Sequence, residues 1–302
     1  MTMEGKVVLI TGANSGIGYE TTRGLAALGA RVVMLCRDGD RCGAAMGRIG
    51  EAVPGADLEV MLCDLASLAD VRRFARDLKD GHDRLDVLFN NAAVVPDHRQ
   101  VSSDGFELQL AVNHLAPFLL THLLMDLLLA SAPSQVVTTA SGTHARGGVD
   151  LRDLQAERSY RPHARYAATK LMNVMFTRSL ARRLEGTGVR ANCLSPGLVD
   201  TGLSRDYGPA MRWLVKRLAK PRERGGETPV WVISSPELAD VSGAYFRNME
   251  RKDVSRRALD EATAEALWRA SERLVGLTDR EREAMPAPPG WLSGHASYSR
   301  VA

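Results

Sequence analysis

Tyr166 and Lys170 stand four residues apart in the segment YAATK, a spacing that places two side chains on the same face of a helix. A tyrosine hydroxyl has an ordinary pKa of about 10 and exchanges protons poorly at neutral pH. A neighbouring ammonium favours the phenolate and lowers that pKa. The pair could therefore donate and accept a proton, although the same spacing is frequent on helices that have no catalytic role.

A glycine-rich segment, TGANSGIG at residues 11–18, follows an apolar run and precedes a helical pattern. Glycines let the backbone turn tightly and approach a pyrophosphate, and the N-terminus of the following helix offers N–H donors. This context predicts nucleotide binding, with a ligand-free tight turn as the alternative.

The end of the second predicted strand bears on which nucleotide is bound. An acidic residue there would bind a ribose 2′-hydroxyl, but the sequence has Cys36 followed by Arg37. A guanidinium suits a 2′-phosphate, which favours NADP(H) over NAD(H). The alternative is a surface arginine held by the adjacent Asp38.

The elements that must position these residues alternate along the chain. Short apolar runs at 7–11, 31–36, 58–63, 87–90, 135–140 and 190–195 predict strands. Helical patterns at 16–28, 40–53, 67–81, 106–129 and 164–184 separate them. Buried strands alternating with helices predict an α/β fold with a doubly wound parallel sheet. Later segments predict a helix from 228 to 234, a short strand at 244–246 and a helix over 258–274.

Composition excludes several classes of protein. The 302 residues carry a net charge of +3, which is too small to indicate nucleic-acid binding. The four cysteines, at 36, 42, 63 and 193, form no CxxC pair, so we expect neither a metal site nor a disulfide framework. Reduced thiols and the lack of a transmembrane or signal segment favour a cytoplasmic location.

The motifs occur in an order that resembles the short-chain dehydrogenases/reductases. Besides residues 11–18 and the Tyr166/Lys170 pair, the matching segments are NNAA at 90–93, Asn113, Ser141 and Pro196-Gly197. The match covers roughly residues 5–250. The segments NHLAPFLLT at 113–121, ARRLEGTGV at 181–189 and SPEL at 235–238 resemble the retinol dehydrogenase-like branch.

The resemblance implies a role for each catalytic residue. Tyr166 would exchange a proton with the substrate oxygen, while Lys170 would lower its pKa and hold the nicotinamide ribose. Ser141 would hydrogen-bond the substrate carbonyl or alcohol. Asn113 would lie on a kinked helix and anchor a water that relays protons to Lys170.

The expected cofactor contacts combine the glycine-rich loop with positions that the resemblance supplies. Asp64 would meet the adenine, Asn91 would line the adenosine side, and Val199 and Thr201 would contact the nicotinamide amide. The full predicted set is Gly12, Asn14, Ser15, Gly16, Ile17, Gly18, Arg37, Asp64, Leu65, Asn91, Ala92, Tyr166, Lys170, Pro196, Gly197, Val199 and Thr201.

Three positions depart from the family pattern, none of them a catalytic side chain. Ala93 replaces the usual glycine of the Asn-Asn-Ala-Gly motif, Ala116-Pro117 replaces a Gly-His pair, and Ser141 follows Ala140 rather than a serine. His144 is interpreted as a loop histidine, with substrate contact as the alternative. The segment 207–220, which contains Trp213, is interpreted as a substrate lid or as a surface helix that docks on a membrane.

The predicted organisation is one catalytic domain over residues 1–275, with a substrate loop at about 200–226 and a C-terminal tail over 276–302. The predicted function is NADP(H)-dependent interconversion of a carbonyl and an alcohol on a lipophilic or polycyclic small molecule. The alternatives are epimerisation, dehydration or cyclisation with the same fold and cofactor, or an NADP(H) sensor without catalysis. The long apolar helices predict a homodimer, unless the C-terminal extension covers them.

Overall fold

The computed structural model describes residues 1–197 and 222–286 of the chain. Eight strands form a single sheet in the order β3-β2-β1-β4-β5-β6-β7-β8. Seven are parallel, and β8 pairs with β7 in the antiparallel direction. The strands are β1 Val7–Thr11, β2 Arg31–Cys36, β3 Leu58–Leu62, β4 Val87–Asn90, β5 Ser134–Thr139, β6 Val189–Ser195, β7 Tyr245–Arg247 and β8 Glu250–Lys252. The predicted doubly wound α/β fold is confirmed, whereas β8 was not predicted.

The central strands β1, β2, β4 and β5 are almost completely buried, and β1 and β2 consist mainly of apolar residues because side chains on both of their faces are buried. Successive side chains of a strand point to opposite faces. Leu9 accordingly packs in one core with Val33 and Leu88, while Ile10 packs in the other core with Met34. Helices cover each face, as a parallel sheet requires.

Nine helices support this sheet within the described residues. They are α1 Gly16–Ala27, α2 Gly39–Ala52, α3 Leu68–Gly81, α4 Ala116–Leu123, α5 Met125–Ala130, α6 Pro162–Arg183, α7 Glu227–Ser234, α8 Glu261–Leu274 and α9 Asp279–Glu283. A single α-helical turn at Leu108–Leu110 comes before α4. Among these helices none is long and apolar enough to cross a membrane.

Residues 106–129, predicted as a long helix, form a series of helical segments that begins at Leu108 and is interrupted twice. After Leu108–Leu110 the chain forms a π-helical segment, Ala111–Leu115, before α4 begins, and Leu124 separates α4 from α5. Pro117 has no N–H and cannot complete the α-helical hydrogen bond to the carbonyl of Asn113. The irregularity therefore falls at the residue that the sequence placed on a kinked helix.

The C-terminal helix α8 covers the outer face of α4 and α6. The Trp268 ring centroid lies 5.0 Å from that of Phe118 and 5.8 Å from that of Phe176. The Arg183 guanidinium stacks 3.9 Å above the Trp268 ring. The apolar surface on which the homodimer prediction depended is thus largely occupied by the chain itself. The predicted homodimer is not tested by the structure, but the covering of this apolar surface by α8 favours a monomer.

The tail beyond residue 275 is partly helical. Thr278 caps α9, and Arg72 of α3 forms an ion pair with Glu281. This contact fixes the first part of the predicted tail against the domain. The predicted features at residues 207–220, including Trp213, and the tail beyond residue 286 lie outside the described residues.

The expectation that all four cysteines are reduced thiols was wrong for two of them. Cys36, the last residue of β2, forms a disulfide with Cys42 in the first turns of α2. The turn between strand and helix brings their Cα atoms to 6.2 Å, a separation that a disulfide can bridge. Cys63 and Cys193 are free and buried, and burial raises the pKa of each thiol to about 12.

Candidate active site

A cleft of about 710 Å³ opens at the carboxyl ends of the parallel strands. Here β1 lies between β2 and β4, so the chain reverses its direction of winding at this point. Ligands of open α/β sheets bind at such a switch point. The cleft brings together these predicted site residues: Gly12, Asn14, Ser15, Gly16, Ile17, Arg37, Asp64, Leu65, Asn91, Ala92, Ser141, Tyr166, Lys170, Pro196 and Gly197.

The glycine-rich loop is shaped to admit a phosphate group. Gly12 has a φ of +68°, in the left-handed region that favours glycine. A Cβ on Gly18 would lie 2.2 Å from the Gly12 carbonyl oxygen, so Gly18 permits close packing of the loop but does not line the cleft. The Ser15 side chain does not cap α1. The first N–H groups of α1 therefore suit an anion, and the cleft fits a dinucleotide.

Thr11 fixes the loop to the end of β4. Its Oγ1 accepts hydrogen bonds from the N–H groups of Asn91 at 2.8 Å and Ala92 at 2.9 Å. The Asn91 side-chain Nδ2 donates to the Thr11 carbonyl at 2.9 Å. Three hydrogen bonds between the ends of two parallel strands therefore fix the position of Asn91, which is predicted to line the adenosine side of the cleft.

Two arginines, Arg37 and Arg41, line the cleft where the chain leaves β2 and enters α2. The Asp38 carboxylate does not hold Arg37 in the described structure; it caps α2 by accepting from the backbone N–H of Arg41 at 3.0 Å. Asp64 closes a turn by accepting from the N–H of Ala66 at 3.0 Å. The alternative in which Asp38 holds Arg37 is therefore not observed, because the Asp38 carboxylate acts as the N-cap of α2.

The helix α6 carries the predicted proton-transfer pair. The Lys170 Nζ lies 5.4 Å from the centroid of the Tyr166 ring and donates to the Thr139 carbonyl at 2.8 Å. Lys170 is only 1% exposed. Its burial lowers the pKa of the ammonium from 10.5 to about 7. A charge at this place acts strongly on the Tyr166 hydroxyl because little water screens it.

A buried chain of hydrogen bonds continues from Lys170 to the C-terminal region. The Thr139 carbonyl also accepts from Asn173 Nδ2 at 3.3 Å, and Asn173 Oδ1 lies 3.3 Å from His114 Nδ1. His114 Nε2 lies 2.9 Å from the hydroxyl of Ser271 on α8. Burial lowers the pKa of His114 to about 4, so the ring is neutral near pH 7. The sequence alone assigned none of these partners.

The comparisons with known proteins decide the family. The model of the short chain dehydrogenase family matches residues 6–212. Human retinol dehydrogenase 14 is 42% identical over 294 residues, covering 91% of this chain and 88% of that protein. This chain belongs to the short-chain dehydrogenase family. Within that family it falls in the retinol dehydrogenase-like branch.

Solved structures agree with this assignment to the short-chain dehydrogenases. An uncharacterised protein from Mycobacterium paratuberculosis is 34% identical with a TM-score of 0.75, covering 91% of this chain and 95% of the other. A provisionally named NAD(P)-dependent gluconate 5-dehydrogenase from Beutenbergia cavernae, solved with NADP at low occupancy, is 27% identical with a TM-score of 0.68. It covers 82% of this chain and 96% of the other. A nicotinamide cofactor is therefore supported for this short-chain dehydrogenase.

Asn113 of this short-chain dehydrogenase is buried and does not line the cleft. Its Oδ1 accepts from the Val94 N–H at 2.8 Å, and its Nδ2 donates to the Val94 carbonyl at 3.0 Å and to Thr169 Oγ1 at 3.3 Å. The side chain therefore fixes the loop after β4. Its backbone carbonyl lacks an α-helical donor because of Pro117, and the water relay expected at Asn113 stays a prediction.

Ser141 follows β5 at the cleft and is held by His144. His144 Nδ1 donates to the Ser141 carbonyl at 2.7 Å, and its Nε2 accepts from the Ser255 N–H at 3.3 Å. The ring also packs edge-on against Tyr245 at 5.0 Å. His144 is buried and does not line the cleft, so it supports the Ser141 loop instead of contacting substrate.

Sequence reasoning missed several cleft residues of this dehydrogenase. An apolar wall is formed by Val94, Val95, Pro96, Leu108 and Val112. Val94, Val95 and Pro96 come from the irregular segment after β4, for which periodicity gave no signal. Leu108 and Val112 lie in the predicted helical region 106–129, but the pattern did not show that they face the cleft. Arg41 could have been found from its spacing of four residues after Arg37. The predicted nicotinamide contacts Val199 and Thr201 lie outside the described residues.

Proposed function

We propose that this chain is an NADP(H)-dependent reductase or dehydrogenase that interconverts a carbonyl and a primary or secondary alcohol on a lipophilic small molecule. The family and its retinol dehydrogenase-like branch support carbonyl and alcohol redox chemistry on such a substrate. The placement of the buried Lys170 ammonium 5.4 Å from the Tyr166 ring carries the proposal.

A nicotinamide cofactor held in the cleft would supply the hydride for reduction of a carbonyl and accept it in oxidation of an alcohol. The carbonyl oxygen then needs a hydrogen-bond donor and a proton. In the direction of reduction, the Tyr166 hydroxyl gives its proton to the oxygen, and the Ser141 hydroxyl donates a hydrogen bond to it. Lys170 favours the resulting phenolate by its charge. Oxidation follows the same path in reverse.

The apolar wall supports a lipophilic substrate. Val95, Pro96 and Val112 contribute no charged or hydrogen-bonding side chain to the cleft. Apolar substrate surface buried against such a wall contributes about 25 cal/mol per Å². Retinoid-like and polycyclic carbonyl compounds match this chemistry.

Arg37 supports the preference for NADP(H). Its guanidinium lines the cleft at the end of β2, and Asp38 is engaged as a helix cap. Cys36, which stands where a carboxylate would bind a ribose hydroxyl, is uncharged and bonded to Cys42. Cys36 itself therefore adds no negative charge that would repel a 2′-phosphate. The cytoplasmic location stays a prediction.

The test is a panel of retinal, steroid ketones and short aldehydes, incubated with NADPH while its near-ultraviolet absorbance is followed. The proposal expects stoichiometric loss of NADPH and formation of the alcohol, fastest for the lipophilic carbonyls. Conversion of substrate without NADPH loss would instead support epimerisation, dehydration or cyclisation. NADPH binding with no conversion of any compound would support a sensor.

A further inference from the structure

Two guanidinium groups, not one, line the end of the cleft where the adenosine part of a dinucleotide is expected. We propose that Arg41 is a second binding residue for the 2′-phosphate of NADP(H), and that the Cys36–Cys42 disulfide holds it in place. This inference rests on the proposed preference for NADP(H).

Arg41 is placed toward the cleft by the first turn of α2. Its backbone N–H donates to Asp38 at 3.0 Å, which fixes the turn that carries it. Within residues 1–197 and 222–286 neither Arg41 nor Arg37 forms an ion pair, and both are exposed at the cleft. A phosphate oxygen could therefore bind both guanidinium groups without breaking an existing pair.

Arg48 provides an internal contrast on the same helix. It is also exposed, but its guanidinium lies over the Tyr19 ring at 5.4 Å and does not line the cleft. Removing Arg48 changes the net charge by the same amount as removing Arg41. The two arginines thus separate a local phosphate contact from a general loss of positive charge.

The disulfide closes a short covalent loop of the chain, and this loop contains both arginines. Cys36 is the last residue of β2 and Cys42 lies in the first turns of α2. The disulfide therefore links the carboxyl end of β2 to the start of α2, with residues 37–41 between them. Both cysteines are buried. A covalently closed segment loses less conformational freedom when a ligand orders it, so its affinity for that ligand is higher.

Reduction would open this loop. A dithiol reductant such as dithiothreitol gives two electrons and two protons: one of its thiolates attacks a sulfur of the bond, a mixed disulfide forms, and the second thiol of the reductant resolves it. The products are two protein thiols and the cyclic disulfide of the reductant. The arginines then sit on a segment held by packing and the Asp38 cap alone.

The first experiment is calorimetric titration of NADP⁺, NAD⁺ and 2′,5′-ADP into wild type, Arg41→Ala and Arg48→Ala. Loss of one charge-assisted hydrogen bond predicts a decrease of about tenfold or more in affinity for NADP⁺ and 2′,5′-ADP in Arg41→Ala. Affinity for NAD⁺ should stay within about twofold. Arg48→Ala should match wild type for all three ligands.

Unchanged NADP⁺ affinity in Arg41→Ala, with wild type preferring NADP⁺, overturns the role of Arg41 and leaves the proposed function intact. A wild-type protein that binds NADP⁺ no more tightly than NAD⁺ overturns the proposed cofactor preference as well. If Arg41→Ala and Arg48→Ala lose the same NADP⁺ affinity, the loss comes from the change in net charge, and the inference is rejected.

The second experiment tests the disulfide with the same titrations. Intact mass and thiol counting establish the bond in the oxidised protein and its loss after dithiothreitol. We expect reduction, or the variant Cys42→Ala, to weaken NADP⁺ binding several-fold while NAD⁺ binding changes little. Circular dichroism checks that Cys42→Ala is folded, and Cys36→Ala serves if it is not. Unchanged NADP⁺ affinity after confirmed reduction, or in the folded variant, rejects the disulfide's role.

Discussion

Lys170 on α6 donates from Nζ to the backbone carbonyl of Thr139 at the end of β5, over 2.8 Å. The contact joins the helix that carries Tyr166 to the strand that leads to Ser141. It also fixes an ammonium in a site with almost no exposure to water. Function and stability are in conflict here, because burial disfavours the charge that catalysis requires.

The first prediction is that Lys170→Met stabilises the protein at neutral pH while removing activity. The folded-state pKa of Lys170 is about 7, below its ordinary 10.5, so the unfolded chain binds more protons between these values. Wild-type stability therefore rises with pH in this window through Lys170, by up to about 1.4 kcal/mol per pH unit. The methionine variant lacks this contribution.

Urea unfolding of both proteins at several pH values checks this prediction. The stability advantage of Lys170→Met should be largest at pH 7 and below and shrink steadily toward pH 10. In the variant the Thr139 carbonyl still accepts a hydrogen bond from Asn173. The loss of the Lys170 hydrogen bond should therefore change the free energy of unfolding only slightly, and by the same amount at every pH. An advantage that does not depend on pH would contradict a depressed pKa for Lys170.

The second prediction concerns His144 as a positioning residue for Ser141. His144→Phe keeps a ring against Tyr245 but removes the side-chain donor to the Ser141 carbonyl, which then accepts only from the His144 backbone N–H. We expect kcat to fall roughly tenfold, because small misplacement of a catalytic group is costly, while NADP⁺ affinity stays at the wild-type value. Steady-state kinetics and calorimetry measure the two quantities.

His144→Asn is the matched control, because its side-chain amide can again donate toward the Ser141 carbonyl. It should recover part of the lost kcat. A His144→Phe enzyme with wild-type kcat would show that the Ser141 loop needs no such support. A parallel loss of NADP⁺ affinity would indicate general unfolding of the site.

The third prediction concerns assembly. Because α8 covers α4 and α6 through Trp268, we now expect a monomer of 32.8 kDa in place of the dimer that the apolar helices suggested. Light scattering at micromolar concentration measures the mass. A particle of twice that mass would show that a symmetric interface forms despite the covering helix.

The sequence was sufficient for the strands β1 to β6 because each contains a short run rich in apolar or β-branched residues and alternates with a helical pattern. It was also sufficient for most of the cleft, since Gly12, Arg37 and Asn91 follow those strands directly. It failed where the structure depends on distant contacts. The role of the Thr139 carbonyl and the support of the Ser141 loop by Ser255, which acts through His144, involve partners that periodicity cannot reveal. The break near Pro117 has a local cause, the missing N–H of the proline, which the helical pattern did not take into account.

The disulfide shows a different limit. Cysteine count and spacing argued against cross-links, yet the turn between β2 and α2 brings Cys36 and Cys42 together. Spacing rules apply to known motifs, whereas the turn geometry that decides this pair becomes visible only in three dimensions. Arg41 is different, since its spacing of four residues after Arg37 was visible in the sequence and only its place at the cleft required the structure.

The proton-transfer role of Tyr166 is tested most directly by the turnover of Tyr166→Phe with NADPH and the best lipophilic carbonyl substrate. The variant keeps the ring beside Lys170 and lacks only the hydroxyl. We expect kcat to fall by about 10²- to 10⁴-fold, the usual contribution of a general acid, with NADP⁺ affinity and thermal stability close to wild type. A Tyr166→Phe enzyme that keeps more than about half of the wild-type kcat, with the chemical step rate-limiting, would contradict the assignment.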